Sequence, residues 1–168
     1  MKILETERLI LREIVEADAE FIYDLVNQLS FIKNIGNRNI YTIERARDVI
    51  ENRYRQSYKQ FGYGLWAVEL KENGAPIGFC GFIKRDFLPD ADIGFAFLPQ
   101  YERRAYAFES ASAAMRYGRE RLNLTRVLAI TSKDNEASCR LLEKLGFRFE
   151  RFIKMPDAEE DIKLYSND

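Results

Sequence analysis

Histidine is absent from all 168 residues, and with it the commonest general base near neutral pH and the commonest metal ligand. Acid–base chemistry is left to Asp, Glu, Tyr, Ser, Cys, Lys or water. Cysteine is scarce: Cys80 and Cys139 stand far apart, without the spacing of a metal site, and no metal is expected. No apolar run approaches the roughly 18 residues of a membrane-crossing helix, and "MKILETERLI" does not read as a secretory leader. The expectation is a cytoplasmic protein with reduced thiols and no membrane partner. Charge of one sign is not in excess either, since 26 basic residues face 27 acidic ones for a net charge of −1. Binding a nucleic-acid backbone needs a one-sided surplus of Lys and Arg, so no nucleic-acid partner is expected. Glycine is missing between Gly94 and Gly118, a stretch whose "PQYERRAYAFES" otherwise invites reading as a phosphate-binding turn.

What is present reads as one domain, residues 1–168, with no repeat, low-complexity tract or linker. Arg8–Ile14 alternates in part and predicts a first strand. Ala19, Ile22, Tyr23 and Val26 recur at helical spacing within Glu16–Gln28. Thr42 is placed to cap a second helix from Ile43 to about Gln60. Strands follow at Leu65–Leu70 and Pro76–Arg85, joined by the hairpin signal Asn73-Gly74, and then at Ala91–Leu98. A helix from about Arg104 to Leu122, a strand at Arg126–Thr131 and a helix over Asn135–Gly146 come next, the last with an Asn cap and a Gly stop. Two strands, near Phe147–Lys154 and Asp161–Tyr165, close the chain. The three consecutive middle strands predict an antiparallel meander, and the strand–helix–strand from Ala91 to Thr131 a right-handed crossover between parallel neighbours. The fold class is therefore α/β (α+β), a mostly antiparallel mixed sheet with one splayed parallel pair and about four helices. A crevice opens where parallel neighbours diverge at their C-terminal ends.

Three stretches can carry chemistry. On "ADIGFAFLPQ", Asp92, Gly94 and Ala96 share one face, and Ile93, Phe95 and Phe97 the other. A carboxylate followed by two small residues leaves room for a ligand beside an acid; equally, the glycine makes room for a packed helix. At the next junction, a helix N-terminus with free N–H groups and the cations Arg103 and Arg104 suits a pyrophosphate, while the same arginines also read as solvated surface. In "TSKDNEASCRLLEKLGF", Asn135 and Ser138 share the first turn of a helix. Asn135 reads as a plain cap, with or without a second role. Ser138 lacks a histidine to activate it, which argues against a hydrolase nucleophile, and Cys139 reads as a small buried hydrophobe.

Taken together and in order, "ETERLILREI", "LWAVELKENGAPIGFCGFI", "ADIGFAFLPQY" and "DNEASCRLLEKLGFRFE" resemble the GNAT superfamily of acetyl-CoA-dependent N-acetyltransferases over nearly the whole chain. The last stretch, with Ser138 and with Leu142 where many relatives carry tyrosine, is similar to the branch of the ribosomal-protein N-terminal acetyltransferases (the RimJ/RimL group). The resemblance implies acetyl-CoA as acetyl donor and an amine acceptor, either a protein N-terminus or a small amine, in a monomer or homodimer. It implies that backbone N–H groups near Phe97 and Leu98 hold the thioester carbonyl and the start of the pantetheine arm. The loop's usual Gln/Arg-x-x-Gly-x-Gly/Ala stands here as Gln100, Tyr101, Glu102, Arg103, Arg104, Ala105, with an arginine at the central glycine. N–H groups from Arg103 through Tyr106 to Ala107 would face the pyrophosphate, Asn135 would contact the cofactor arm, and Ser138 would protonate the departing thiolate. Asp92 occupies the acidic position that the family often uses as a base, through water. A free carboxylate near pKa 3.9 is a poor base, so the role requires a raised pKa or a relay. Phe31, Tyr41, Tyr58, Phe61, Tyr63 and Trp66 are aromatic candidates for an acceptor wall. The alternative implied by Arg103 and the missing tyrosine is a GNAT-fold binding or regulatory module with weak or no turnover.

Overall fold

A computed structural model describes residues 1–168. Its centre is one eight-stranded sheet in the order β1-β2-β3-β4-β5-β6-β8-β7, antiparallel throughout except for β5 against β6. The strands are β1 (Lys2–Glu5), β2 (Leu9–Glu13), β3 (Leu65–Leu70), β4 (Pro76–Ile83), β5 (Asp92–Phe97), β6 (Leu128–Ser132), β7 (Arg148–Lys154) and β8 (Asp161–Ser166). The mixed sheet with a single parallel pair is the expected class. The strand expected at Arg8–Ile14 is β2, and the sequence reading missed Lys2–Glu5, which forms a hairpin with it. Both halves are apolar enough to be strand, and the intervening Thr6-Glu7-Arg8 carries no Gly, Pro or Asn to mark the turn.

Helices flank both faces. α1 (Ala19–Val26) follows a short 3-10 turn, and α2 (Leu29–Asn34) is a two-turn helix that the sequence did not reveal. α3 (Ile43–Val49) and α4 (Arg55–Phe61) run on as one rod through a π-helical turn at Ile50–Tyr54. Thr42 caps α3, its hydroxyl accepting from the Arg45 amide at 3.0 Å. With α5 (Tyr106–Arg121) and α6 (Glu136–Lys144), there are five helical bodies rather than about four.

The sheet's alternation splits the core in two. On one face, Leu11, Trp66, Cys80, Phe82 and Ile93 pack under α5 and α6; on the other, Ala67, Phe79 and Leu98 pack under α1 to α4. Trp66 and Phe82 are fully buried and meet edge-to-face at 6.0 Å; truncating either costs about 3–5 kcal/mol at such a site. α5 lies close because Gly118 faces Phe82: a Cβ there would sit 2.7 Å from the Phe82 ring. Its other end is clipped to the β1–β2 turn. Glu109 accepts from the Thr6 hydroxyl, from the Arg8 amide at 3.0 Å and from Arg8 Nε at 2.7 Å. Burial works against this carboxylate, but the Thr6 and Arg8 hydrogen bonds outweigh it and lower its pKa.

Candidate active site

The parallel pair determines the site. β5 and β6 are in register at a single pair, Asp92 with Leu128, and part beyond it. The gap opens into a cleft of about 1300 Å³ that reaches both faces of the sheet. Asp92, Phe97, Arg103, Ala105, Tyr106, Ala107, Asn135 and Ser138 all line it. Leu98, Gln100 and Arg104 do not: Leu98 is buried among the helices of the other face, Gln100 is exposed, and the Arg104 carbonyl accepts from Arg8 at 3.0 Å.

The unpaired edge of β5 supplies donors. The Leu98 amide donates back to Ile77 on β4 at 2.9 Å, so it is unavailable to a ligand, contrary to the sequence reading. In an antiparallel ladder alternate residues bond the same neighbour. The pairing of Ala96 with Phe79 and Gly94 with Gly81 therefore turns the Phe95 and Phe97 amides toward the gap. Phe95 was not singled out from the sequence, because only the strand's register identifies it.

The junction before α5 is a row of free amides. Arg103 and Ala105 both take the left-handed conformation, each with φ of 63°. Ala105 occupies the cap position and offers no side-chain acceptor to the helix. The first amide to donate into α5 is Glu109, to the Ala105 carbonyl at 3.0 Å; those of Arg103 to Phe108 have no acceptor within the chain. Six unpaired N–H groups at the positive end of a 16-residue helix form an anion cradle. The helix starts two residues later than the sequence suggests. Arg103 is exposed and makes no ion pair, so its backbone bears the strain of roughly 1 kcal/mol or more while its side chain stays available.

Across the gap, Asn135 caps α6, its Oδ1 accepting from the Ser138 amide at 3.2 Å. The Asn135 side-chain N–H2 and the Ser138 hydroxyl have no partner in the chain. Thr131, on β6, adds a group missed in the sequence: it is 7% exposed, lines the cleft, and its Oγ1 is buried without a hydrogen-bond partner. A buried hydroxyl left unpaired in this way costs about 1–3 kcal/mol, which an amide-rich arm lying in the gap would recover. Leu142 also borders the cleft but is 1% exposed and packed into the core.

Asp92 is 1% exposed and accepts from Arg85 Nε at 2.9 Å. Burial pushes its carboxyl up from the ordinary 3.8 to about 6, against the pull of Arg85. Of the aromatic candidates only Phe31 and Phe61 line the cleft; Trp66 is in the α5-side core, and the Tyr58 hydroxyl is bound by the Ile14 amide and the Leu65 carbonyl. Tyr54 and Tyr101 line it instead. No group of three or more His, Cys, Asp or Glu is arranged to hold a metal, and no helix is long and apolar enough to cross a membrane.

Comparison with known proteins places this architecture. Residues 8–148 match the family model described as an acetyltransferase (GNAT) domain. The chain is 35% identical over 153 residues to the uncharacterised N-acetyltransferase YoaA of Bacillus subtilis, covering 90% of this chain and 86% of that one. A GNAT-family acetyltransferase structure from Bacillus anthracis superposes with a TM-score of 0.80 at 27% identity, covering 99% and 97% of the two chains. RimL, a ribosomal L7/L12 α-N-protein acetyltransferase solved with coenzyme A, shares the fold with a TM-score of 0.82 at 16% identity, covering 99% and 97%. The chain belongs to the GNAT acetyltransferase family.

Proposed function

We propose that the protein moves the acetyl group of acetyl-CoA onto a primary amine by direct attack, with Asp92 receiving the amine's proton through water. The observation that carries this reading is the buried Asp92, its pKa raised to about 6, at the one rung from which β5 and β6 diverge. Acetyl-CoA supplies an acetyl group activated as a thioester. The residues present fit it: the amides of Arg103 to Phe108 suit a pyrophosphate, and the orphaned Thr131 Oγ1 and the Asn135 amide suit a polar arm.

An alkyl amine is mostly protonated at neutral pH, with reference pKa values of about 8 for an α-amine and about 10.4 for lysine. A carboxylate of pKa about 6 is ionised at pH 7 yet basic enough to take a proton as the C–N bond forms. The Phe97 amide, with that of Phe95 beside it, stabilises the oxygen on which negative charge develops, an effect typically of a few kcal/mol. As the C–S bond breaks, the Ser138 hydroxyl gives a proton to the departing sulfur and regains one from water, since Leu142 has none to give. Protein N-termini belong among the acceptors on this reading, which the ribosomal-protein acetyltransferase among the structural neighbours supports. We place the reaction in the cytoplasm.

The test mixes purified protein with acetyl-CoA and an amine panel, following thiol release and melting temperature. Acetyl-CoA should raise the melting temperature by mass action and release thiol only with amine. Stabilisation without turnover on any amine would favour the binding-module reading, to which the strained Arg103 lends its one observation. No stabilisation at millimolar acetyl-CoA would remove the acetyl-transfer reading.

A further inference from the structure

Opposite the anion cradle, the cleft wall formed by α2, the loop after it and the α3–α4 rod is cationic. Lys33, Arg38, Arg45 and Arg53 all line the cleft, and none lies within 4 Å of a carboxylate. Arg85 also lines it, committed to Asp92. The remaining carboxylates of the cleft are Glu102, on the loop before α5, and Glu160, between β7 and β8. In a chain with net charge −1, such an imbalance in one concave surface is local and uncompensated.

The backbone that carries Arg38 and Arg53 is ordered, while their side chains are exposed and unpaired. Arg38 sits on a loop tied by its own side chains, with Asn37 Nδ2 donating to the Tyr41 hydroxyl at 2.8 Å and Asn37 Oδ1 accepting from the Asn39 amide at 2.8 Å. Ile40, 1% exposed, anchors the loop, and its carbonyl accepts from Asn27 at 2.8 Å. Arg53 and Tyr54 belong to the π-helical turn at Ile50–Tyr54, whose wider ring brings the consecutive residues Asn52, Arg53 and Tyr54 all onto the cleft. π turns of this kind often occur at functional sites. Tyr54 packs on Phe79 at 6.3 Å, and its hydroxyl has no protein partner. The guanidinium of Arg38 has its pKa lowered, first by desolvation, then by the neighbouring Arg85 and Arg53 charges against the influence of Tyr54. Arg85 is already paired with Asp92, which leaves Arg38 and Arg53 as the cations of this wall without an anion of their own.

We infer that Arg38 and Arg53, with the Tyr54 hydroxyl, form a subsite for a carboxylate or phosphate on the acceptor, so that the preferred acceptor is an amine bearing an anionic group. The inference rests on the amine-acetylation reading above. Planar guanidinium forks suit both anions, and the cluster lies on the sheet face opposite α5, away from the amides at that helix's N-terminus. An anion held there directs the amine of the same molecule toward Asp92, the carboxylate that Arg85 already fixes on this wall.

The experiment saturates the protein with CoA, which gives a dead-end complex, and measures acceptor binding by calorimetry. Matched probes are β-alanine against propylamine, O-phosphoethanolamine against ethanolamine, and peptides with Ala-Asp-Glu against Ala-Lys-Lys at the N-terminus. At least one anionic member should bind tenfold or more tightly than its partner; which pair responds distinguishes a small carboxylate, a phosphate and an acidic peptide. Arg38→Gln with Arg53→Gln should abolish that preference while leaving affinity for CoA and for the neutral amines unchanged, and Arg→Lys at both positions should restore part of it, which also controls for misfolding. Equal binding within all three pairs, a preference that survives the Gln variant, or a loss of CoA affinity in its place would each overturn the inference. Repeating the titrations on cofactor-free protein separates the two readings. Failure of CoA to bind refutes the acetyl-transfer proposal, whereas failure of every anionic amine to outbind its partner refutes this one.

Discussion

Replacing Asp92 with asparagine tests the site through stability and rate together. The substitution is nearly isosteric, and the amide oxygen still accepts from Arg85 Nε, which holds the carboxylate at 2.9 Å. What disappears is a charge in a side chain that is 1% exposed. Burial dominates the rise of the Asp92 pKa from 3.8 to about 6, so the folded state holds this proton more tightly than the unfolded chain does. The associated stability is fully present below pH 3.8 and is lost as pH rises toward 6. Over the whole window it amounts to about 3 kcal/mol, at about 1.36 kcal/mol per pH unit. Asparagine does not ionise and escapes the loss. Urea unfolding at about pH 4.5 and about pH 7.5 should therefore show the stability of Asp92→Asn relative to the parent increasing by about 2 kcal/mol between the two conditions, because part of the window lies below the first. At the higher pH the same variant should acetylate amines at least about a hundredfold more slowly and lose the limb of the rate profile that rises through pH 6. Parallel stability curves would show that the carboxylate is solvated and ordinary; an unchanged rate would remove it from the mechanism.

Three further substitutions probe the cofactor side. Thr131→Val removes a buried hydroxyl that lacks a partner, so the free protein should unfold no more easily, and by up to about 1 kcal/mol less easily, while acetyl-CoA binds several-fold more weakly by calorimetry; unaltered affinity would free Thr131 of any ligand role. Arg103→Gly relaxes a residue at φ 63° and should leave melting of the free protein unchanged or slightly raised, yet weaken acetyl-CoA about tenfold through loss of one charge-assisted contact. Tighter binding would mean that the side chain obstructs the pyrophosphate. Glu109→Gln loosens the clip between the β1–β2 turn and α5 and should cost roughly 1–2 kcal/mol in urea while raising the KM for acetyl-CoA; a change in neither would make the clip ornamental.

The sequence was most informative where local chemistry and tertiary structure agree. Thr42 and Asn135 cap the helices they were expected to cap, Asn73-Gly74 joins β3 to β4, and the strand–helix–strand from Ala91 to Thr131 is the parallel crossover. Motif order named the family without coordinates. Features that depend on tertiary structure were hidden. The turn at Thr6-Glu7-Arg8 is stabilised by Glu109, 101 residues from Arg8, and no local pattern can report that. The left-handed turn at Arg103 and Ala105 carries no glycine of its own, and the helix was read as starting near Arg104 rather than at Tyr106. The gap-facing amides of β5 depend on register, which made Leu98 look available and Phe95 unremarkable. Thr131 and the cationic wall escaped for the same reason: residues as distant as Lys33, Arg53 and Arg85 become neighbours only once the sheet is built.

The single rung between Asp92 and Leu128 has a mechanical consequence. β1 to β5 form a five-stranded plate and β6 to β8 a three-stranded one, and the sheet's backbone bonds fasten the two at one point, like a hinge with a single pin. A molecule lying in the opening and bonding to the amides of β5 on one side and to Thr131 and Asn135 on the other would act as a splint. Amide exchange along β6 should then slow on filling the opening more than exchange along β3, which already has ladders on both sides. Such slowing would mean that part of the fold's stiffness comes from the molecule that fills the opening.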